Sequence, residues 1–112
     1  MNTHKLFDSF LSPERPPERP YSPDSDVFSI RTANDISAIA EIYESSSGSY
    51  GFRFQAWVAW RDAGGVARSH SWYEINAKEA LFTDRVAEAQ CAADAYAAAI
   101  GISLIGDWHS PR

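Results

Sequence analysis

The chain has 112 residues, 45% of them apolar, and its fifteen acidic and ten basic side chains give a formal charge of −5. That length supports one hydrophobic core and excludes two independent ones. The acidic balance works against nucleic acid and anionic lipid, whose phosphates repel it at long range, and favours a basic partner. Cys91 is the single cysteine, so no internal disulfide can form. Its place among alanines predicts a small buried or half-buried hydrophobe in a reducing, cytoplasmic setting. The first residues carry too few apolar side chains for a secretory h-region, and no run of about 18 apolar residues occurs, so neither a leader nor a membrane span is expected.

Residues 1–12 place Leu6, Phe7, Phe10 and Leu11 at offsets that share one side of a helix. A two-turn amphipathic helix is expected there. It stops at Ser12-Pro13, where a tandem repeat begins, Pro13-Glu14-Arg15-Pro16 followed by Pro17-Glu18-Arg19-Pro20. Proline at this density favours extended polyproline II, and at about 3.1 Å per residue the repeat spans roughly 25 Å. Residues 13–26 therefore read as a stiff spacer. A helix this short persists only when docked, on its own domain, on a second protomer or on a partner. Recognition of the repeat by a proline-binding domain is a further, weaker reading.

Residues 27–31 form a β-prone run suited to an edge strand. From Ile36 to Glu44 the pattern fits either a helix capped by Asp35 or a strand, and strand is chosen because its neighbour demands one. In that neighbour Phe52, Phe54, Ala56, Val58 and Trp60 alternate strictly with Arg53, Gln55, Trp57, Ala59 and Arg61. Asp62-Ala63-Gly64-Gly65 is a hairpin turn, and a third strand follows over 66–75. Asn76-Ala77-Lys78-Glu79 has the form of a capping box, so a helix opens there or after Thr83. Val86, Ala89, Ala93, Tyr96, Ala97 and Ile100 make its apolar stripe, with Gly101 as the left-handed stop. Residues 102–105 can add one short strand, and 106–112 form a fraying tail that Trp108 anchors. The expected fold is α+β: a three-stranded antiparallel sheet, with room for a fourth strand, on one long C-terminal helix in a domain over 27–105.

One helix covers one side of such a sheet, so the other side is solvated, covered by the N-terminal segment, or used. With Phe52, Phe54, Val58, Trp60, Tyr73 and Ile75 turned toward the helix, the reverse side receives Arg53, Gln55, Trp57, Arg61, Arg68, His70, Trp72 and Glu74. Burying Ile36 and Ile42 adds Ile39, Glu41 and Tyr43. Trp57, Trp72 and Tyr43 among Arg53, Arg68 and His70 have the composition of a protein interface, where large rings and guanidinium groups act as anchors. The second candidate surface is an acidic ridge along the helix, with Glu79, Asp84, Glu88 and Asp94. Base stacking on the sheet aromatics is possible in principle, but the overall charge has the wrong sign for it.

Catalytic chemistry is not expected. His4, His70 and His109 have no cysteine or carboxylate at metal-ligand spacing, so no metal or other cofactor is expected. Ser69 and Ser71 lie across the strand from His70 and cannot form a nucleophile and base pair with it. The glycines belong to hairpin turns, not to a phosphate cradle.

The segment from Tyr50-Gly51-Phe52 through the glycine hairpin to Asn76-Ala77-Lys78-Glu79-Ala80 resembles the HicB-type antitoxin domain and, more loosely, the double-stranded RNA-binding layout. The likeness covers about half the chain. The Pro-Asp-Leu-Pro-Gly-Cys signature of HicB proteins is absent, so no functional residue carries over. By build alone the chain is also similar to small phage and mobile-element accessory proteins, including anti-CRISPR inhibitors. The expectation is a non-enzymatic, cytoplasmic inhibitor that occupies a larger basic or nucleic-acid-binding protein. An antitoxin-like homodimer is the alternative, and single-stranded nucleic acid is a distant third.

Overall fold

The structure, a computed structural model, describes residues 16–33, 37–75 and 83–111. The expected N-terminal helix, the Asp35 cap and the Asn76 capping box with Glu79 lie outside the described residues. Those described form β1 (Val27–Ala33), β2 (Ala38–Glu44), β3 (Tyr50–Arg61), β4 (Ala67–Ile75), α1 (Val86–Ile100) and β5 (Leu104–His109). All five strands join one antiparallel sheet in the order β4-β3-β2-β1-β5. The class is α+β, but the sheet has five strands instead of three or four, and α1 is followed by β5 instead of ending the chain. Two weak β signals complete each other: the chain after Gly101 returns alongside β1, so each gains the backbone partners that neither has alone. β5 thereby takes in residues expected to fray.

Residues 38–44 are strand because every one of them finds a partner on β3, from Ala38 opposite Ala56 to Glu44 opposite Tyr50. The β3–β4 hairpin turns at Asp62, whose carboxylate accepts hydrogen bonds from the Gly64 and Val66 amides at 2.9 and 3.0 Å. Gly65 supplies the φ of +81° that closes the turn. The Val66 amide and then Arg68 hold the Asp62 carboxyl below its usual range.

The core lies between the sheet and α1. Ala89, Ala93, Ala97 and Ile100 are buried at helical spacing, against Ala40, Ile42, Phe52 and Phe54. Small side chains let the helix axis come close, and Tyr96 fills the remaining width, with its ring centroid 5.7 Å from Phe52 and 5.4 Å from Phe54. α1 begins after the second of the two expected caps. Arg85 occupies the cap position without a side-chain bond, and Thr83 takes the Arg85 amide at 3.2 Å while its hydroxyl donates to Glu88 at 2.5 Å. At the other end Gly101 adopts φ +81° and the Ile102 amide reaches back to the Ala97 carbonyl at 2.8 Å. Cys91, expected to be buried or half-buried, is exposed. Two residues past Ala89 is about 200° round the helix, which turns it to solvent.

Candidate functional site: the strap face and the hairpin aromatics

On the side of the sheet away from α1, the register sets Glu41 opposite Arg53, Gln55 opposite Glu74, and Trp57 opposite Trp72. This face is partly covered. The proline-rich segment comes down on it as a strap, and Glu41, expected in the open, is fully buried. Its carboxylate accepts from Arg19 Nε at 2.8 Å, Arg53 Nε at 2.9 Å, Gln55 Nε2 at 3.3 Å and the Tyr21 hydroxyl. A carboxylate withdrawn from water needs this many donors, because its lone pairs are otherwise stranded. In extended chain, residues two apart point the same way, so Arg19 and Tyr21 reach one acceptor together.

Arg53 is the hub. It chelates Asp26 through its two terminal nitrogens at 3.1 and 2.8 Å, lies 3.5 Å from Glu74, and stands over the Tyr43 ring at 5.1 Å. Burial opposes its charge, yet the hydrogen bonds to Asp26 and Glu41 outweigh burial and raise its pKa above the ordinary guanidinium value. The Arg53 hydrogen bonds hold the Asp26 carboxyl below its usual range. Burial, then the Glu41 hydrogen bond, pushes the Tyr21 phenol well above the normal tyrosine range. Tyr43 is raised too, through burial, with Arg53 pulling the other way.

Beside this polar knot lies an aromatic one. Trp57 is stacked on His70, with centroids 6.0 Å apart and planes 15° from parallel, and meets Trp72 edge-on at 5.5 Å. All three are half-buried. Neither indole N–H has a hydrogen-bond partner among the described residues although both are shielded from solvent, which costs about 1–3 kcal/mol apiece. Trp72 also lines a cavity of about 300 Å³ between strap and sheet, with Pro16, Pro17, Tyr21, Ile30 and Ile39.

The structure therefore brings Trp57, Trp72, His70, Arg53 and Tyr43 together on one face. Arg68 stands apart at the hairpin end, where the β3–β4 register shifts, and its Nε bonds Asp62 at 2.7 Å. Asp84 and Glu88 are exposed at the start of α1. Asp94 is turned inward to accept from Arg31 at 2.9 Å and from the Trp108 indole at 3.5 Å, so the ridge does not run unbroken along the helix. Ser71 accepts from Trp60 Nε1 on the helix side at 2.6 Å, away from His70. Among the described residues no group of three or more His, Cys, Asp or Glu side chains stands where it could hold a metal ion.

Two features were not anticipated. Glu41 was the signal for the strap: a charge in the middle of the apolar run Ala38–Ile42 must either face water or be met by donors. The second is on the helix side, where Trp60 and Tyr73, expected in the core, are 41% and 49% exposed and pair edge-to-face at 5.5 Å. Twelve residues of β3 span about 40 Å, whereas fifteen of α1 cover about 22 Å, so the helix is too short to shield the whole strand. No family model, curated protein or solved structure matches the chain, and the functional reading rests on this geometry.

Proposed function

We propose that the protein is a non-catalytic interaction module that binds a larger, basic protein, in the manner of the small acidic inhibitors of phage and mobile elements, anti-CRISPR proteins among them. The observation that carries this reading is the exposed Trp60–Tyr73 pair on the β3–β4 hairpin, with Val66 at the turn also exposed. Large rings held at the surface by cross-strand contacts are the side chains that most often anchor a protein interface. Trp57, Trp72 and His70 stand on the reverse of the same two strands, so a partner that grips the hairpin meets rings on both sides.

Charge supports a basic partner. Of the described arginines, Arg19, Arg31, Arg53 and Arg68 are in ion pairs and Arg61 and Arg85 are exposed, while Glu18, Asp24, Glu44, Asp84, Glu88 and Asp107 are exposed on the acidic side. The outward field is therefore negative, in keeping with the net charge of −5. Such a field steers association and makes it salt-sensitive.

Affinity capture with identification by mass supplies the partner for the test. In calorimetry, Trp60→Ala is expected to weaken the complex by about 2 kcal/mol, roughly thirtyfold, and raised salt is expected to slow association. Unchanged affinity for both Trp60→Ala and Trp57→Ala removes the hairpin from the interface and the reading with it.

A further inference from the structure

We propose that the strap is the built-in occupant of a peptide groove, and that the groove takes in trans an extended, proline-rich segment of a basic partner protein with an arginine and a tyrosine two residues apart. The inference goes beyond the hairpin contact of Trp60 and Tyr73, because it uses the other face of the sheet and states what docks there.

An occupant of known fit is already seated. Residues 16–22 carry no regular secondary structure, and among the described residues no backbone hydrogen bond ties 16–21 to a strand. Pro16, Pro17 and Pro20 have no N–H to give one, and they keep the chain extended. Side chains do the fastening: Arg19 Nε and the Tyr21 hydroxyl both donate to the Glu41 carboxylate, with the Arg19 guanidinium 5.6 Å from the centre of the Tyr21 ring. A segment held in this way lifts without unpairing the sheet, and a second segment of the same pattern makes the same bonds.

The face beneath selects for that pattern. Apart from the strap it sets Glu41, Asp26 and Glu74 around one guanidinium, that of Arg53, at 2.9, 2.8 and 3.5 Å. Acid outnumbers base there, so the buried Glu41 carboxylate draws a further cation, and Arg19 is the one it now has. Beside Glu41 the groove turns apolar, where Pro16 and Pro17 share with Ile30, Ile39 and Trp72 a cavity of about 300 Å³. Grooves with an aromatic wall take proline-rich segments because polyproline II is ordered before it binds. Tethered through the turn from Ser22 to Ser25, the strap meets the groove at an effective concentration on the order of millimolar, so a free peptide competes well only once the strap is weakened.

The test uses the full chain and a synthetic peptide of residues 16–23, Pro-Pro-Glu-Arg-Pro-Tyr-Ser-Pro. Nitrogen-edited NMR follows the Gln55 side-chain amide and the tryptophan indoles during titration. A chain carrying Arg19→Ala and Tyr21→Ala is expected to bind the peptide at least about tenfold more tightly than the wild type does, with Tyr21→Phe in between. A control peptide with Gln and Phe in place of Arg19 and Tyr21 is expected to bind roughly tenfold more weakly, and adding Glu41→Gln to either variant should abolish the difference between the peptides. Circular dichroism checks folding, and the milder Tyr21→Phe carries the test if the double variant unfolds. No binding to the weakened chains at about 5 mM peptide, equal affinity for the two peptides, or a preference that survives Glu41→Gln overturns the proposal. So does a wild-type chain that sediments as a dimer and becomes monomeric with Arg19→Ala and Tyr21→Ala, since the occupant is then a second copy's strap. None of these outcomes touches the hairpin contact, which Trp60→Ala tests separately.

Discussion

The two faces of the sheet are buried by opposite means. On one, α1 lays alanines on Phe52, Phe54 and Ile42, and burial is apolar, non-directional and tolerant of small shifts. On the other, an irregular strap is fastened through Arg19 and Tyr21, which share the Glu41 carboxylate with Arg53 and Gln55 of β3, an arrangement that holds only while each partner keeps its place. The contrast teaches that a segment without regular structure can be placed on a sheet by directional bonds to one buried charge, where a helix is placed by apolar area.

Three perturbations test that contrast. The largest effect is expected from Phe54→Ala, which empties the centre of the apolar face and costs about 3–5 kcal/mol in denaturant unfolding. The strap is expected to remain on its own face, with no new chymotryptic cleavage after Tyr21 at low denaturant.

Glu41→Ala is expected to cost about 3 kcal/mol, because it leaves Arg19 partly buried without its carboxylate and removes one of the acceptors of Arg53, which keeps Asp26. Here the loss is local as well as global. The strap should lift and Tyr21 become cleavable while the helix signal in circular dichroism persists. If Glu41→Ala leaves Tyr21 protected, the carboxylate is not what fastens the strap.

The smallest effect is in the alkaline titration. A phenol whose folded pKa lies above its unfolded value contributes stability that is complete below the unfolded value and lost as pH rises toward the folded one. Tyr21 and Tyr43 are both raised, so the fold should begin to weaken above pH about 10. Tyr21 should ionise well above the usual tyrosine range in ultraviolet titration, and Tyr21→Phe should remove that late component. The Asp26 shift has the opposite sign: its stability is present above the usual carboxylate range and fades as pH falls below it. Asp26 is half exposed, so solvent screening keeps this acid contribution slight.

Much of the helix side was legible in the residues. Alternation along β3 assigned Phe52 and Phe54 to one face and Arg53, Gln55 and Trp57 to the other, because the side-chain period of a strand is two. The stripe from Ala89 to Ile100 and the stop at Gly101 follow from the helical period and from glycine's access to positive φ. The candidate site was legible only in part. Pattern placed Trp57, Trp72, His70, Arg53 and Tyr43 on a common face, and the Glu41 charge inside Ala38–Ile42 called for either water or donors, but nothing in the pattern named Arg19, Tyr21 and Arg53 as those donors or Asp26 as a partner of Arg53, since periodicity carries no information about distant pairs. It also took Trp60 and Tyr73 for core, because inward direction and burial coincide only where a covering element is long enough.

What the residues determine by themselves is local: the alternation of β3, the helical stripe of α1, where the chain turns, and which side chains share a face, all consequences of backbone geometry and period; over 38–44, where either period fits, the pairing with β3 decides. What only the tertiary structure decides is the rest. The pairing of β1 with β5 joins segments some 75 residues apart, and the docking of the strap on Glu41 joins two more. The reach of α1 relative to β3 decides which rings stay in water. Those outcomes depend on which distant groups meet once the sheet has closed, and no window of sequence contains both partners.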